Sequence, residues 1–468
     1  MKKVIRFAAF LAMPMALLSI NSEAWVITIF AFHVVMYNFL QVGKFPIVLL
    51  SLLIPFIEIA TSLIHAEARQ LTISDLYGPG GGEAYMLAII TFILFTMGLN
   101  LGLRRQRGLE ITEEIEGLLR DFSMKKLILG HVFLMVFSGV ANAIVVYGTS
   151  FFQLVVHVRK FSLILLYIIV WKADLEKKNR TLIALIVGVN LALRLSGFFS
   201  EWKDVIVLLV FVSFLSVKRL DTRWFRRLTI AAIFGFGLLF TWQAIKADYR
   251  SFLNGGTRSQ KVVVGIQDAL LKFGELTKDT WLKPKNENEN ELVWMETLDR
   301  IGYIDFFAKT LERVPSEIPH QRGDLLTSNL RFALAPRILF PDKGIKNDQL
   351  KVEKFAGVEI ANNASFSLGR YVEWYVDFGY GMLLVGALFG WIGAQIIRFV
   401  QHKRHSPFLE IINPIFLFLV MQTFCSFQSD EIVITGQTFW ALLVYLTFGR
   451  SIMAALLKFS LPSGSGAQ

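Results

Sequence analysis

The apolar residues of this chain are gathered into long blocks bounded by charge, and this limits its fold more than any other feature. A hydrocarbon core about 30 Å thick needs roughly 20 apolar residues of helix. Blocks of that kind lie near 4–20, 25–40, 45–66, 84–103, 127–147, 151–171, 181–199, 203–217, 228–245, 380–400, 409–426 and 433–457. They predict an all-α, polytopic integral membrane protein with about twelve transmembrane helices, because an isolated segment in lipid must pair its backbone polar groups internally. Composition points the same way. Of 468 residues 54% are hydrophobic and only 18% charged, against about 25% charged in soluble domains. Disorder and a string of ordinary soluble domains are both excluded. The one cysteine, Cys425, permits no intrachain disulfide and leaves the redox compartment unread.

The formal charge is +11, and its distribution sets the orientation. With a cytoplasmic N-terminus, Lys2, Lys3, Arg6, the run Arg104 to Arg107, Lys125-Lys126, Lys177-Lys178, Arg226-Arg227 and Lys403-Arg404 all fall on the cytoplasmic side. About 24 Lys and Arg lie in or beside cytoplasmic loops, against about two in the short outer loops, as the positive-inside rule requires. Both termini are therefore expected in the cytoplasm. The basic runs read as topological anchors that touch membrane lipids, and no nucleic-acid partner is expected. Two N-terminal readings compete: a first span, or a cleavable signal peptide ending near Ser22-Glu23-Ala24. Both leave the later spans in the same orientation.

Three regions follow: an N-terminal bundle of about nine helices over 1–245, a large external loop over 246–376, and about three helices over 377–468. The loop contains a polar excursion, Lys283 to Asn290, and a helical pattern from Leu292 to Leu311 that Pro315 and Pro319 terminate. Phe332, Leu334, Ile338, Leu339 and Phe340 are too apolar for a solvated loop and predict a re-entrant or interfacial element. No internal repeat is visible. That favours a membrane-embedded site capped by the external loop over a carrier whose two halves rock.

Charges within apolar blocks are informative because a helix-centre Arg costs about 2.5–3.5 kcal/mol on insertion scales. Arg159 and Lys160 lie in the sixth block, and Arg194 lies toward the outer end of the seventh. Each can snorkel to the headgroups or offer donors to a phosphate. The segment Arg331 to Gly344 sets Arg331, Arg337 and Lys343 among apolar residues, and Pro336 and Pro341 fix the backbone around Arg337. That pattern reads as an anion site or as an ordinary turn. Arg370, Glu373, Trp374 and Asp377 share one helix face by spacing. The two carboxylates there suit a general base, or simply complement a helix dipole. His320, beside Arg322, is the one histidine in the loop: a base or a solvated side chain. Tyr77 to Gly82 reads as a turn, and no metal-ligand spacing is present.

Pro336 to Lys343, then Ser365-Phe366-Ser367-Leu368-Gly369 running into Glu373-Trp374-Tyr375-Val376-Asp377-Phe378-Gly379, resemble the Wzy-type oligosaccharide repeat-unit polymerases. The motif resemblance covers about 331–386 and the architecture covers the whole chain. It implies a metal-free, cofactor-free glycosyltransferase of the bacterial cytoplasmic membrane, acting at the outer face. The donor would be a glycan on undecaprenyl pyrophosphate, and the acceptor a hydroxyl of the next lipid-linked repeat. Carried over, the arginine of the proline-bounded motif is Arg337. Arg194 occupies the place of an arginine that often ends a middle span, although Leu195-Ser196-Gly197 follows it here. On this reading Arg337, with Arg194 or Arg370, binds pyrophosphate, and Glu373 or Asp377 deprotonates the acceptor. Arg159, Arg322, Arg331, Lys343 and His320 are further substrate-binding candidates. A chain-length regulator and a flippase are implied partners. Two alternatives remain open: a glycan ligase of the same architecture, and a non-enzymatic flippase for lipid-linked oligosaccharide.

Overall fold

A computed structural model describes residues 18–39, 46–104, 113–144, 152–195, 202–215, 222–254, 266–282, 294–295, 297–299, 301–335, 340, 348–359, 367–402 and 406–462. Among them every regular element is helical. In chain order the helices are α1 (Ser22–Phe39), α2 (Pro46–Ala68), α3 (Ile73–Tyr77), α4 (Gly81–Leu103), α5 (Glu113–Asp121), α6 (Met124–Ile144), α7 (Phe152–Glu176), α8 (Arg180–Leu195), α9 (Trp202–Leu215) and α10 (Thr222–Asn254). They continue as α11 (Ile266–Leu282), α12 (Asp305–Arg313), α13 (Asp324–Leu334), α14 (Asp348–Ala356), α15 (Arg370–Phe378), α16 (Met382–His402), α17 (Pro407–Phe424), α18 (Glu431–Val444) and α19 (Arg450–Phe459).

Six helical runs are long and apolar enough to cross a membrane: α1, Ile47–Ala68 of α2, α4, Arg370–His402, α17 and Glu431–Phe459. They fall on the blocks expected near 25–40, 45–66, 84–103, 380–400, 409–426 and 433–457. A bent pair, Glu113–Asp121 with Met124–Val140, turns through 81° and gives a seventh candidate. Helices α7 to α10 run through the blocks between 151 and 245, while the block near 4–20 lies outside the described residues. At 1.5 Å rise per residue, the 23 residues of α2 and of α4 each extend roughly 34 Å, enough for a hydrocarbon core.

The chain forms two compact units, Met1–Ile168 with Ile301–Gln468, and Ile169–Arg300. In the first, α17 is buried along its length from Ile411 to Met421, as expected of a helix apolar on all sides. Beside it α4 and α16 pack with their backbones nearly touching. A Cβ on Gly98 would overlap the carbonyl of Ala387, and one on Gly390 would overlap that of Phe95. Gly386 lies against Thr91 and Gly102 against Ala394 in the same way. Each helix carries small residues four apart, Gly98 with Gly102 and Gly386 with Gly390, which is how helices approach closely in lipid.

A layer of short helices, α12 to α15, covers one end of these long helices. The carbonyl of Ala308 in α12 lies against Gly80 at the start of α4. Trp440 of α18 donates to the Ala333 carbonyl of α13 at 3.2 Å, and Gln428 donates to the Ile301 carbonyl at 2.7 Å. The helix expected from Leu292 to Leu311 is interrupted: residues 302–304 are not helical and α12 begins at Asp305. Gly302 is the cause. It is a poor helix former, and only a residue without Cβ passes so close to Ser62 of α2. Helix α12 does stop before Pro315, and Gly78 (φ +92°) makes the expected turn between α3 and α4.

The second unit is built around α10. Trp242, Ile245 and Tyr249 form its buried centre, against Leu191 of α8, Ile206 of α9, and Phe273 and Leu276 of α11.

Candidate functional site

The charged residues of α15 lie together where the sequence placed them on one helix face, but that face points into the protein. Arg370 is 0% exposed, Glu373 2% and Asp377 2%. A cation at a helix N-terminus opposes the dipole, and a buried one needs a partner. Arg370 finds it 61 residues away. Its Nε and Nη2 donate to the two carboxylate oxygens of Glu431 at 2.7 and 3.0 Å, and Nη1 donates to the Phe424 carbonyl at 2.5 Å. The rings of Trp374, Phe389 and Phe424 surround the guanidinium at 4.9–5.2 Å from their centroids. The fork expected to grip a pyrophosphate is thus turned onto the protein's own carboxylate.

Glu373 is held as firmly. One oxygen accepts from the Lys351 ammonium at 2.7 Å. The other accepts from Asn329 Nδ2 at 3.1 Å and from the Glu431 amide at 2.8 Å. Lys351 also donates to Asn329 Oδ1 at 2.9 Å. One carboxylate therefore ties α13, α14, α15 and α18 together. Around it, Ser367 Oγ donates to Asp430, and Tyr303 Oη bonds to the backbone of Ser367.

Asp377 performs a service that α13 cannot provide for itself. The residue before that helix is Gly323, in the left-handed region at φ +93°, with no side chain to cap the first amides. Asp377 caps them from α15 instead, accepting from Leu325 N at 3.0 Å and Leu326 N at 2.7 Å. The backbone agrees, since Gln321 N and Arg322 N donate to the carbonyls of Val376 and Asp377 at 2.9 Å each. The expectation that Glu373 or Asp377 acts as an accessible base meets a physical objection: both carboxylates are buried and held by donors of the protein.

The accessible charges of the layer carry both signs: Glu312, Glu317, Asp324, Glu353 and Glu359 are exposed, as are Arg322, Arg331 and Lys354. Arg322 and Arg331 lie at the two ends of α13. His320 is partly exposed, its Nδ1 3.4 Å from the Val376 carbonyl and its ring edge-on to Tyr375. Arg159 is partly buried in α7 of the first unit, and Arg194 is buried in the last turn of α8 in the second. Arg337 and Lys343 lie outside the described residues. A cleft of about 500 Å³ between α12 and α14 is lined by Arg313 and Lys354, but also by Glu353 and Glu359. Carrying both signs of charge, it favours no anion.

A family model described as "Domain of unknown function (DUF8712)" matches residues 86–403, more than half of the chain. The chain belongs to this family. No curated protein and no solved structure matches it. The DUF8712 region takes in the second unit, the layer α12 to α15 and the apolar helix α16. Glu431, which completes the Arg370 pair, lies C-terminal to it. Sequence reasoning missed Glu431, Asp430, Lys351 and Asn329. The signal for the first two was present, since Ser429-Asp430-Glu431 places two acids at the mouth of an apolar block.

Proposed function

We propose that this chain is a polytopic glycosyltransferase of the bacterial cytoplasmic membrane that polymerises undecaprenyl-pyrophosphate-linked repeat units at the outer face. Twelve spans, cytoplasmic termini and an external 246–376 segment belong to this reading. The observation that supports it is the layer at one end of the apolar helices, in which Glu373 and Asp377 are paired inward while Arg322 and Arg331 are exposed at the two ends of α13. Helix α13 presents Arg331 in its last turn, and the sequence runs from there into the Pro336-Arg337 motif.

On this reading the work is electrostatic. Pyrophosphate leaves readily once its developing charge is stabilised, and fixed guanidinium groups at a low-dielectric boundary do so strongly. We assign Arg337 to that charge, with Arg331 and Lys343 as neighbouring contacts. The buried carboxylates hold the frame. We assign proton acceptance from the incoming hydroxyl to His320, the partly exposed histidine beside Arg322.

The experiment is incubation of purified protein with a defined lipid-linked repeat, with the products resolved on a gel. A ladder of repeats is expected from the natural protein, and no ladder from Arg337→Lys if bidentate phosphate contact is required. Accumulated single-repeat caps in a deletion strain support a polymerase. Accumulated full-length lipid-linked polymer would make the chain a ligase instead, and loss of repeat units from the outer face would make it a flippase.

A further inference from the structure

Arg450 opens α19 inside the apolar run Glu431–Phe459, and the proposed chemistry does not use it. A π-helical turn, Tyr445–Gly449, joins α18 to α19 and sets Arg450 against the end of α16. Val400 stands two residues before the last residue of α16, where carbonyls have no partner within the helix. Its oxygen accepts from Arg450 Nη2 at 3.1 Å and from Asn413 Nδ2 at 3.3 Å. Asn413, fully buried in α17, accepts in turn from Tyr445 Oη. The centroid of the Tyr445 ring lies 5.3 Å from the guanidinium carbon of Arg450.

Arg370 shows what this arrangement lacks. Around Arg370 stand aromatic rings, a backbone carbonyl and the carboxylate of Glu431. Around Arg450 stand an aromatic ring and a backbone carbonyl but, among the described residues, no carboxylate. Glu410, in the first turn of α17, does not pair with it, and Arg450 Nε is buried without an acceptor. The end of α16 contributes a partial charge of about −0.5, which leaves roughly half of the cation unbalanced.

A charge within an apolar run is balanced by a partner or hydrated by snorkelling. The surfaces beside Arg450 favour a partner. Phe448 and Ile452, two residues to either side of it, are 36% and 40% exposed, and Phe399, next to Val400, is 50% exposed. A cation set among exposed apolar side chains matches a molecule that joins an anionic group to apolar chains. Free phosphate lacks the chains, and a zwitterionic phospholipid lacks the net charge.

We propose that Arg450 holds the phosphate of a bound anionic phospholipid, whose acyl chains lie against Phe399, Phe448 and Ile452. The site is at the end of α16 remote from the layer, so it stands or falls independently of the polymerase reading.

The test uses the full chain, purified in mild detergent, washed free of lipid and examined by native mass spectrometry with equal amounts of phosphatidylglycerol and phosphatidylethanolamine. The first lipid retained by the natural protein should be phosphatidylglycerol by roughly fivefold, the effect of one basic residue at an anionic membrane. Arg450→Gln should lose that preference and Arg450→Lys should keep part of it. Lys126→Gln, which removes a cation bound to the Leu461 carbonyl, should leave it unchanged. If Arg450→Gln does not fold, the natural protein carries the test: phosphatidylglycerol should raise its unfolding temperature more than phosphatidylethanolamine does. Equal retention of both lipids by the natural protein, or an undiminished preference in folded Arg450→Gln, would overturn the site. So would stabilisation by inorganic phosphate as large as that by the lipid, because the acyl chains would then play no part.

Discussion

The charge cluster of α15 leads within a few residues into α16, one side of the seam with α4, yet opposite means hold the two regions together. The seam is made by removing side chains: Gly98, Gly102, Gly386 and Gly390 let two backbones meet. The cluster is made by burying charge, with Arg370, Glu373 and Asp377 each paired to a group on another element. The seam's failures are steric and begin with the first carbon of any side chain. The cluster's failures are electrostatic and depend on which partner is left behind. A short 3₁₀ turn, Gly379–Gly381, separates the two regimes.

The largest effect should come from unpairing the buried guanidinium. Arg370→Ala leaves Glu431 buried without its partner, and breaking such a pair costs about 3–5 kcal/mol. Detergent-solubilised protein should then lose its folded peak in size-exclusion chromatography. The double variant Arg370→Met/Glu431→Leu removes both charges and should recover most of the loss. If it is as unstable as the single variant, the pair's charge is not what matters. In the seam, Gly390→Leu pushes a side chain into the Phe95 carbonyl, and overpacking of this kind costs about 1–3 kcal/mol. Gly390→Ala already puts a Cβ 2.0 Å from that backbone oxygen, so it should lower the unfolding temperature nearly as much. An unchanged unfolding temperature in Gly390→Ala would contradict the steric account. Smaller again is Asp377→Ala, which removes a cap from α13 worth about 1 kcal/mol. Asp377→Asn should restore part of it, because an amide oxygen still accepts one of the two backbone bonds. Hydrogen exchange at Leu325 and Leu326 would read the change locally.

The two regions also differ in how far the sequence discloses them. Apolar blocks mark the spans because one physical need, about 20 apolar residues, is written continuously along the chain. The block near 84–103 became α4 and that near 380–400 became α16, within a few residues. The glycine pairs were readable as well, since residues four apart on a helix face one way. Partner choice was not readable. Helical spacing put Arg370, Glu373 and Asp377 on one face, but spacing cannot say whether a face looks into water or into protein. Arg370 meets Glu431, Glu373 meets Lys351, and Asp377 meets the amides of Leu325 and Leu326 only because long-range packing brings them together. A pair of acids at a helix start reads equally as a base and as a brace, and burial decides between them.

On the proposed reading the buried carboxylates Glu373 and Asp377 hold the frame, and the cations Arg331 and Arg337 meet the substrate. One comparison tests that division most directly. Glu373→Gln and Arg337→Ala, purified at equal yield and assayed on a defined lipid-linked repeat well below their unfolding temperatures, should behave oppositely. Glu373→Gln keeps the shape and one acceptor of the brace, so it should still build a ladder, although it should unfold at a lower temperature. Arg337→Ala should unfold like the natural protein and build none. A folded Glu373→Gln protein without polymer, beside an Arg337→Ala protein with a normal ladder, would contradict it.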